Sequence, residues 1–209
     1  MLVTALLKRL AALLLATGVV LSMAGCVSTP PKHQDNICHI FDEKDGWYKD
    51  ARKASKRWGI PIATNMAIMH QESRFVSKAK PERTRILWVI PGPRKSSAYG
   101  YSQAKDETWD WYRDKTGNWG ADRDDFDDAI DFVAWFNSVS VRQSKIKPND
   151  TYNLYLAYHE GHGGFNRGTY KSKGWLVKVA KKVDARARNY SAQLAKCEDR
   201  LNSSWWWPF

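Results

Sequence analysis

Apolar residues recur at helical spacing along most of the chain. Trp47, Ala51, Ala54 and Trp58 fall at i, i+4, i+7 and i+11, which predicts an amphipathic helix stopped by Gly59. Pro61 suits the opening turn of a second helix, whose stripe is Ile62, Met66 and Met69. The period then changes. Ile86 to Ile90 reads as a strand, Pro91-Gly92-Pro93 as a turn, and Tyr99 and Tyr101 as a return strand. After an acidic stretch, Phe126, Ile130 and Val133 predict a helix to about Gln143. Asp150 or Thr151 can cap another, carrying Leu154, Ala157 and Tyr158. The clearest stripe is the last: Leu176, Ala180, Val183, Ala187, Tyr190, Leu194 and Cys197. The pattern predicts an α+β domain, mainly helical, with one small β-hairpin. No internal repeat or second domain is visible.

Composition narrows the class. The chain has 209 residues, 43% of them hydrophobic, with 11 Trp, which is enough for a real core and excludes global disorder. Its formal charge is +11, and residues 1–25 supply only Lys8 and Arg9 of it. A cationic surface of this kind is drawn to polyanions, whether nucleic acid, anionic lipid or an acidic wall polymer.

Residues 1–25 read as an export signal. Lys8 and Arg9 precede an apolar run, Leu10 to Leu21, that is short of the roughly 20 apolar residues needed to span a bilayer. Met23-Ala24-Gly25-Cys26 resembles a bacterial lipobox, with Met where Leu is usual. That resemblance implies cleavage before Cys26 and lipid on its sulfur. Val27, rather than Asp, follows Cys26, which implies an outer-membrane address facing the periplasm of a Gram-negative bacterium. Residues 26–36 then form a lipidated tether, 37–201 the domain and 202–209 an aromatic tail ending Trp205-Trp206-Trp207-Pro208-Phe209. Two cysteines remain, Cys38 and Cys197. In an oxidising compartment an even pair suggests a disulfide, the alternative being two buried thiols.

The candidate chemistry centres on Glu72. An apolar helix delivers this carboxyl near its C-terminal end, in Met66-Ala67-Ile68-Met69-His70-Gln71-Glu72-Ser73. In an apolar setting the charged form loses hydration and the pKa rises, leaving an acid able to protonate a departing glycosidic oxygen. From this segment alone, an exposed helix-end glutamate pairing with Arg74 or another basic residue is the better reading. Two more segments follow it: Ala98-Tyr99-Gly100-Tyr101-Ser102-Gln103, and Ala157-Tyr158-His159-Glu160-Gly161, which leads into a glycine-rich turn.

In that order, these three segments resemble the SLT-type lytic transglycosylases, glycoside hydrolase family 23, relatives of goose-type lysozymes. The family has a Glu-Ser at a helix end, a Gly-Leu-Met-Gln-like motif and an Ala-Tyr-Asn-x-Gly-like motif. Here Tyr101-Ser102 replaces Leu-Met and His159 replaces Asn. A basic insertion carrying Lys78, Lys80, Arg83, Arg85, Arg94 and Lys95 separates Glu72 from Gly100. The resemblance implies a lysozyme-like domain that cleaves the bond between N-acetylmuramic acid and N-acetylglucosamine in peptidoglycan. Glu72 is the implied acid and base. Tyr158 would bond near it and steady it, and Ser73, Gly100, Gln103, His159 and Gly161 would serve the substrate cleft. No cofactor or metal is implied.

Other readings are weaker. His159 and His162 stand three apart where a helical zinc motif needs four, and they run into glycines. The acids from Asp122 to Asp131 fail the calcium-loop spacing at Phe126 and fit a helix N-terminus better. Nucleic acid suits the charge but not a periplasmic address, and no binding motif appears. A hydrolytic muramidase would need a second carboxylate, for which Asp106, Glu107 and Asp110 are candidates. A non-catalytic wall-binding lipoprotein is the alternative from another class.

Overall fold

The computed structural model describes residues 28–86 and 90–203. The stretch expected as an export signal, Cys26, most of the apolar strand expected at 86–90 and the aromatic end of the tail lie outside the described residues. The helices are α1 (Ile37–Glu43), α2 (Trp47–Trp58), α3 (Ile62–Ser73), α4 (Asp106–Thr116), α5 (Phe126–Ser144), α6 (Thr151–Arg167) and α7 (Gly174–Ser203). A 3-10 turn at Thr169–Ser172 joins the last two, and β1 (Arg83–Ile86) pairs antiparallel with β2 (Ile90–Arg94). Among the described residues no helix is long and apolar enough to cross a membrane.

The helix α3 is the axis of the domain. Every residue from Ile62 to His70 is buried, so it is walled in by neighbours rather than laid on a surface. The long α7 packs along it, and α2 and α5 close the other sides. The apolar stripe on α7 is its buried face, Leu176, Ala180, Val183, Ala187, Tyr190, Leu194, Cys197 and Leu201. α7 runs through Asn202 to Ser203, into the stretch expected as tail.

An aromatic stack joins α2 to the loop before α4. The Trp47 and Phe126 rings lie 3.8 Å apart and nearly parallel, and Tyr101 meets Trp47 edge-on at 5.7 Å. Aspartates secure α5. Asp125 caps its first turn by accepting from the Asp127 amide, as the acidic stretch suggests for a helix start. Asp131, in its second turn, is buried but fully partnered. It accepts from Trp58 Nε1 and Tyr112 Oη, both at 2.8 Å, and from Arg57 at 3.2 Å.

Two elements differ from the pattern reading. The helix α4 falls inside the acidic stretch. Its buried stripe is only Trp109 and Tyr112, too short to register as a period, and its real signature is acid at the start (Asp106, Glu107) with base at the end (Arg113, Lys115). The hairpin is also displaced. Arg83 pairs with Arg94, Arg85 with Pro91 and Ile86 with Ile90, so Pro91-Gly92-Pro93 lies in the returning strand rather than in the turn. A two-stranded ribbon has an open edge on each side, where a proline's missing N–H costs no ladder bond. Tyr99 makes only an isolated bridge to Ala104, and Tyr101 is turned into the core.

Candidate active site

Glu72 occupies the last turn of α3, whose final residue is Ser73. The helix stops because Arg74 and Phe75 both adopt left-handed backbone, with φ of 51° and 60°. Phe75 is fully buried against Trp47 and the His70 ring. The exit is therefore locked by packing, which fixes where the Glu72 side chain points. The residue keeps partial solvent contact, yet its carboxyl sits deep among protein atoms. Loss of hydration pushes its pKa from 4.5 up to about 7, opposed only by a hydrogen bond from Tyr155. Among the described residues no second carboxylate bears on its titration. Two of the acids considered as hydrolytic partners are engaged elsewhere: Asp106 pairs with Arg123 at 2.8 Å and Asp110 with Arg113 at 2.7 Å.

Two tyrosines of α6 face the acid. Tyr155 is buried and bonds the Glu72 carboxyl. Tyr158, one turn on, donates to the Ser102 carbonyl at 2.7 Å. It lies close enough to Glu72 that the carboxylate, after burial, opposes its ionisation. The sequence reading gave Tyr158 the steadying role beside Glu72. In the structure the direct bond is made by Tyr155, which was missed. The available signal was its place three residues before Tyr158 on one helical face.

The Gly100–Gln103 loop is a buttress for Tyr158. Gly100 (φ 76°) and Gln103 (φ 51°) are both left-handed. The Gly100 amide and Gln103 Nε2 donate to the Ala79 carbonyl at 2.9 and 3.0 Å, and Gln103 Nε2 also reaches the Gly100 carbonyl at 2.9 Å. A Cβ on Gly100 would sit 2.0 Å from the Arg123 carbonyl oxygen, so glycine is required here on two counts. This explains the departures from the family motif. Tyr101 fills the core, and Ser102 contributes its backbone carbonyl rather than a side chain.

The remaining expected site residues have clear places. The Ser73 hydroxyl is buried and turned back to the Met69 carbonyl at 3.3 Å. Helix α6 does not end at its glycines; it breaks at Gly161 (φ 72°, ψ 158°) and resumes to Arg167. Glu160 anchors that break. Its side chain is only 3% exposed, and it holds Lys173 at 2.7 and 3.0 Å, Thr169, and His159 at 3.1 Å. Burial would raise its pKa, but Lys173, Thr169 and His159 outweigh burial and hold it at about 2. His159 is exposed and meets Trp175 edge-on, while His162 stacks on Phe136 and reaches Ser140 at 3.0 Å. His70 is buried away from both, its pKa lowered to about 4 by burial and by Arg186 and Arg74. These three imidazoles do not converge.

Removing the Tyr155 hydroxyl should move the titration of Glu72 in a defined direction. That bond favours the carboxylate, so Tyr155→Phe should raise the Glu72 pKa further and carry the alkaline limb of the pH–rate profile to higher pH. An unmoved limb would show that Tyr155 only packs.

The family model described as the transglycosylase SLT domain matches residues 13–197. A search of curated proteins found no match.

Proposed function

Because the chain belongs to the transglycosylase SLT domain family and acts on peptidoglycan, we propose that it is a lytic transglycosylase working through Glu72 alone. The observation that carries this reading is a buried carboxyl held at about 7 with, among the described residues, no second carboxylate bearing on it. Glycosidases that use water pair two carboxyls roughly 5–10 Å apart. With one carboxyl, the nucleophile must come from the substrate.

The reaction balances with that single group. Protonated Glu72 gives its proton to the oxygen leaving C1 of N-acetylmuramic acid, and the C1–O bond breaks. The Glu72 carboxylate then takes the proton from the 6-hydroxyl of the same sugar as that oxygen bonds to C1. A 1,6-anhydro end and a free 4-hydroxyl result, no water is consumed, and Glu72 returns protonated. Tyr155 would hold the carboxyl in line, and Tyr158, braced by Ser102, would keep the Gly100–Gln103 loop against it. Ser73, Gly100 and Gln103 would line the substrate cleft while shaping it through the contacts described above, and the exposed His159 and the open turn at Gly161 would meet the glycan. The chemistry requires no cofactor.

The proposal extends to the address. Met23-Ala24-Gly25-Cys26 supports lipid attachment at Cys26 and tethering to the outer membrane facing the periplasm, where the substrate lies. Digesting purified sacculi and weighing the muropeptides tests the chemistry. Anhydro-ended products, lighter by one water than reducing ends, are expected. Reducing ends would assign a muramidase, and binding without release a non-catalytic wall protein.

A further inference from the structure

The basic insertion between Glu72 and Gly100 folds into the β1–β2 ribbon and its flanks. The ribbon stands apart from the helices and makes its extensive contacts only with itself. Lys78, Lys80, Arg83, Arg85, Arg94 and Lys95 are all exposed, and none forms an ion pair among the described residues. Glu82 is the only acid in the stretch from 78 to 95.

The register concentrates these charges. Arg83 lies directly opposite Arg94, and Arg85, two residues along the same strand but beyond a shift in the register, pairs with Pro91, so three exposed arginines are gathered on one short ribbon. Like charges in cross-strand register oppose folding. In the helical body Arg57, Lys173 and Arg200 are paired with Asp131, Glu160 and Asp42. Here backbone carbonyls take that place: Arg83 donates to Gly92 at 3.4 Å and Arg94 to Pro81 at 2.5 Å. These bonds aim the side chains without neutralising them, and the other guanidinium N–H groups stay available in the fork geometry that fits a carboxylate.

The root of the ribbon ties it to the acid. The Ala79 carbonyl, just before β1, accepts from both Gly100 and Gln103. The loop they shape supplies the Ser102 carbonyl that holds Tyr158 beside Glu72. The ribbon and the loop that braces Tyr158 beside Glu72 thus share one anchor, the Ala79 carbonyl. Sugar rings at a scissile bond carry no formal charge, whereas the peptide stems of the wall carry carboxylates at every repeat.

Resting on the transglycosylase reading, we propose that the ribbon, through Arg83, Arg85 and Arg94 with Lys95, binds peptide-stem carboxylates and makes the enzyme selective for peptide-bearing glycan over bare strands. The test compares wild type with R83E/R85E/R94E/K95E on intact sacculi and on glycan strands stripped of peptide by an amidase. A milder variant, R85E/K95E, alters only residues that hold no hydrogen bond in the ribbon.

From individually weak, salt-screened contacts, the fourfold reversal should raise KM on intact sacculi about tenfold at low salt, and the milder variant a few-fold. Turnover should be nearly unchanged, KM on stripped strands should move less than twofold, and the wild-type advantage should fade as salt is added. Equal loss on both substrates in the milder variant would overturn the proposal, because the ribbon would then be supporting the fold or the acid. So would loss of binding to anionic phospholipid vesicles with sacculus binding intact, which would make it a lipid-facing surface. Co-sedimentation with both forms of wall, in a Glu72→Gln background, reads selectivity without turnover. Unselective binding there overturns this proposal alone, whereas selective binding by a wild-type enzyme that releases no product overturns only the catalytic reading.

Discussion

Glu72→Gln should lower turnover on peptidoglycan by about 10²–10⁴-fold while leaving wall binding in place. Glutamine keeps the shape and can still accept from Tyr155, but it has no proton to give at C1–O and no charge to recover one from the 6-hydroxyl. Both halves of the proposed reaction fail together, because one group performs both. The same variant should be more stable than wild type at alkaline pH. The native carboxyl has its pKa raised from 4.5 to about 7, so the folded state resists its ionisation. Below the unfolded value both states are protonated and no penalty exists. The penalty grows as pH rises from 4.5 through 7 and is complete above that, at on the order of 3 kcal/mol. Denaturant melts of both proteins should converge near pH 4 and diverge by pH 8, with the glutamine form ahead. Retained turnover would remove Glu72 from the reaction. A constant stability gap across that range would mean its carboxyl is not desolvated in solution. A destabilised carboxyl is a common cost of an active site, where reactivity and fold stability make opposite demands.

Much of this arrangement was legible in the order of residues because a few positions carry strong local signals. Helical stripes such as Trp47–Trp58 are set by burial of one face, and burial is what a hydrophobic period records. Glu72 was legible only through the company it keeps, because its segment is followed in order by the Gly100–Gln103 and Ala157–Gly161 segments. Tyr155 was not, since a buried tyrosine looks the same in sequence whether its hydroxyl is idle or bonded to an acid. The purpose of Gly100 and Gln103 was equally hidden. Their spacing marks the motif, but the reason for it is two left-handed residues converging on the Ala79 carbonyl, a non-local fact. The hairpin was misplaced because apolar residues were taken as the strand. The run from Ile86 to Ile90 reads as one strand, whereas the structure pairs its two ends with each other.

Removing the bridge between Cys38 and Cys197 should cost the whole domain stability, not just its edge. The structure joins these cysteines across a separation of 159 residues, which encloses almost every helix. In the unfolded chain such a link removes conformational freedom worth about 5 kcal/mol by chain-entropy estimates. For a domain of this size that corresponds to roughly 10–20 °C in Tm. A purely local effect is the competing expectation. The seven-residue α1 is too short to persist alone and is docked on α7, where Ile37 donates to Gln193 at 3.0 Å and Arg200 grips Asp42 at 2.7 and 3.0 Å. If those contacts suffice, Cys38→Ser/Cys197→Ser would loosen only α1 and the end of α7. Hydrogen exchange separates the two. The entropic effect acts on the unfolded ensemble, so it should lower protection of the α3 core amides by the same free energy as those of α1. Faster exchange confined to α1 and the last turns of α7, with α3 unchanged, would show that the bridge fastens a terminus and does little for the core. Turnover at temperatures where the fold persists should change little in either case, because Glu72 is held by Phe75, Tyr155 and the Ala79 loop, none of which touches the bridge.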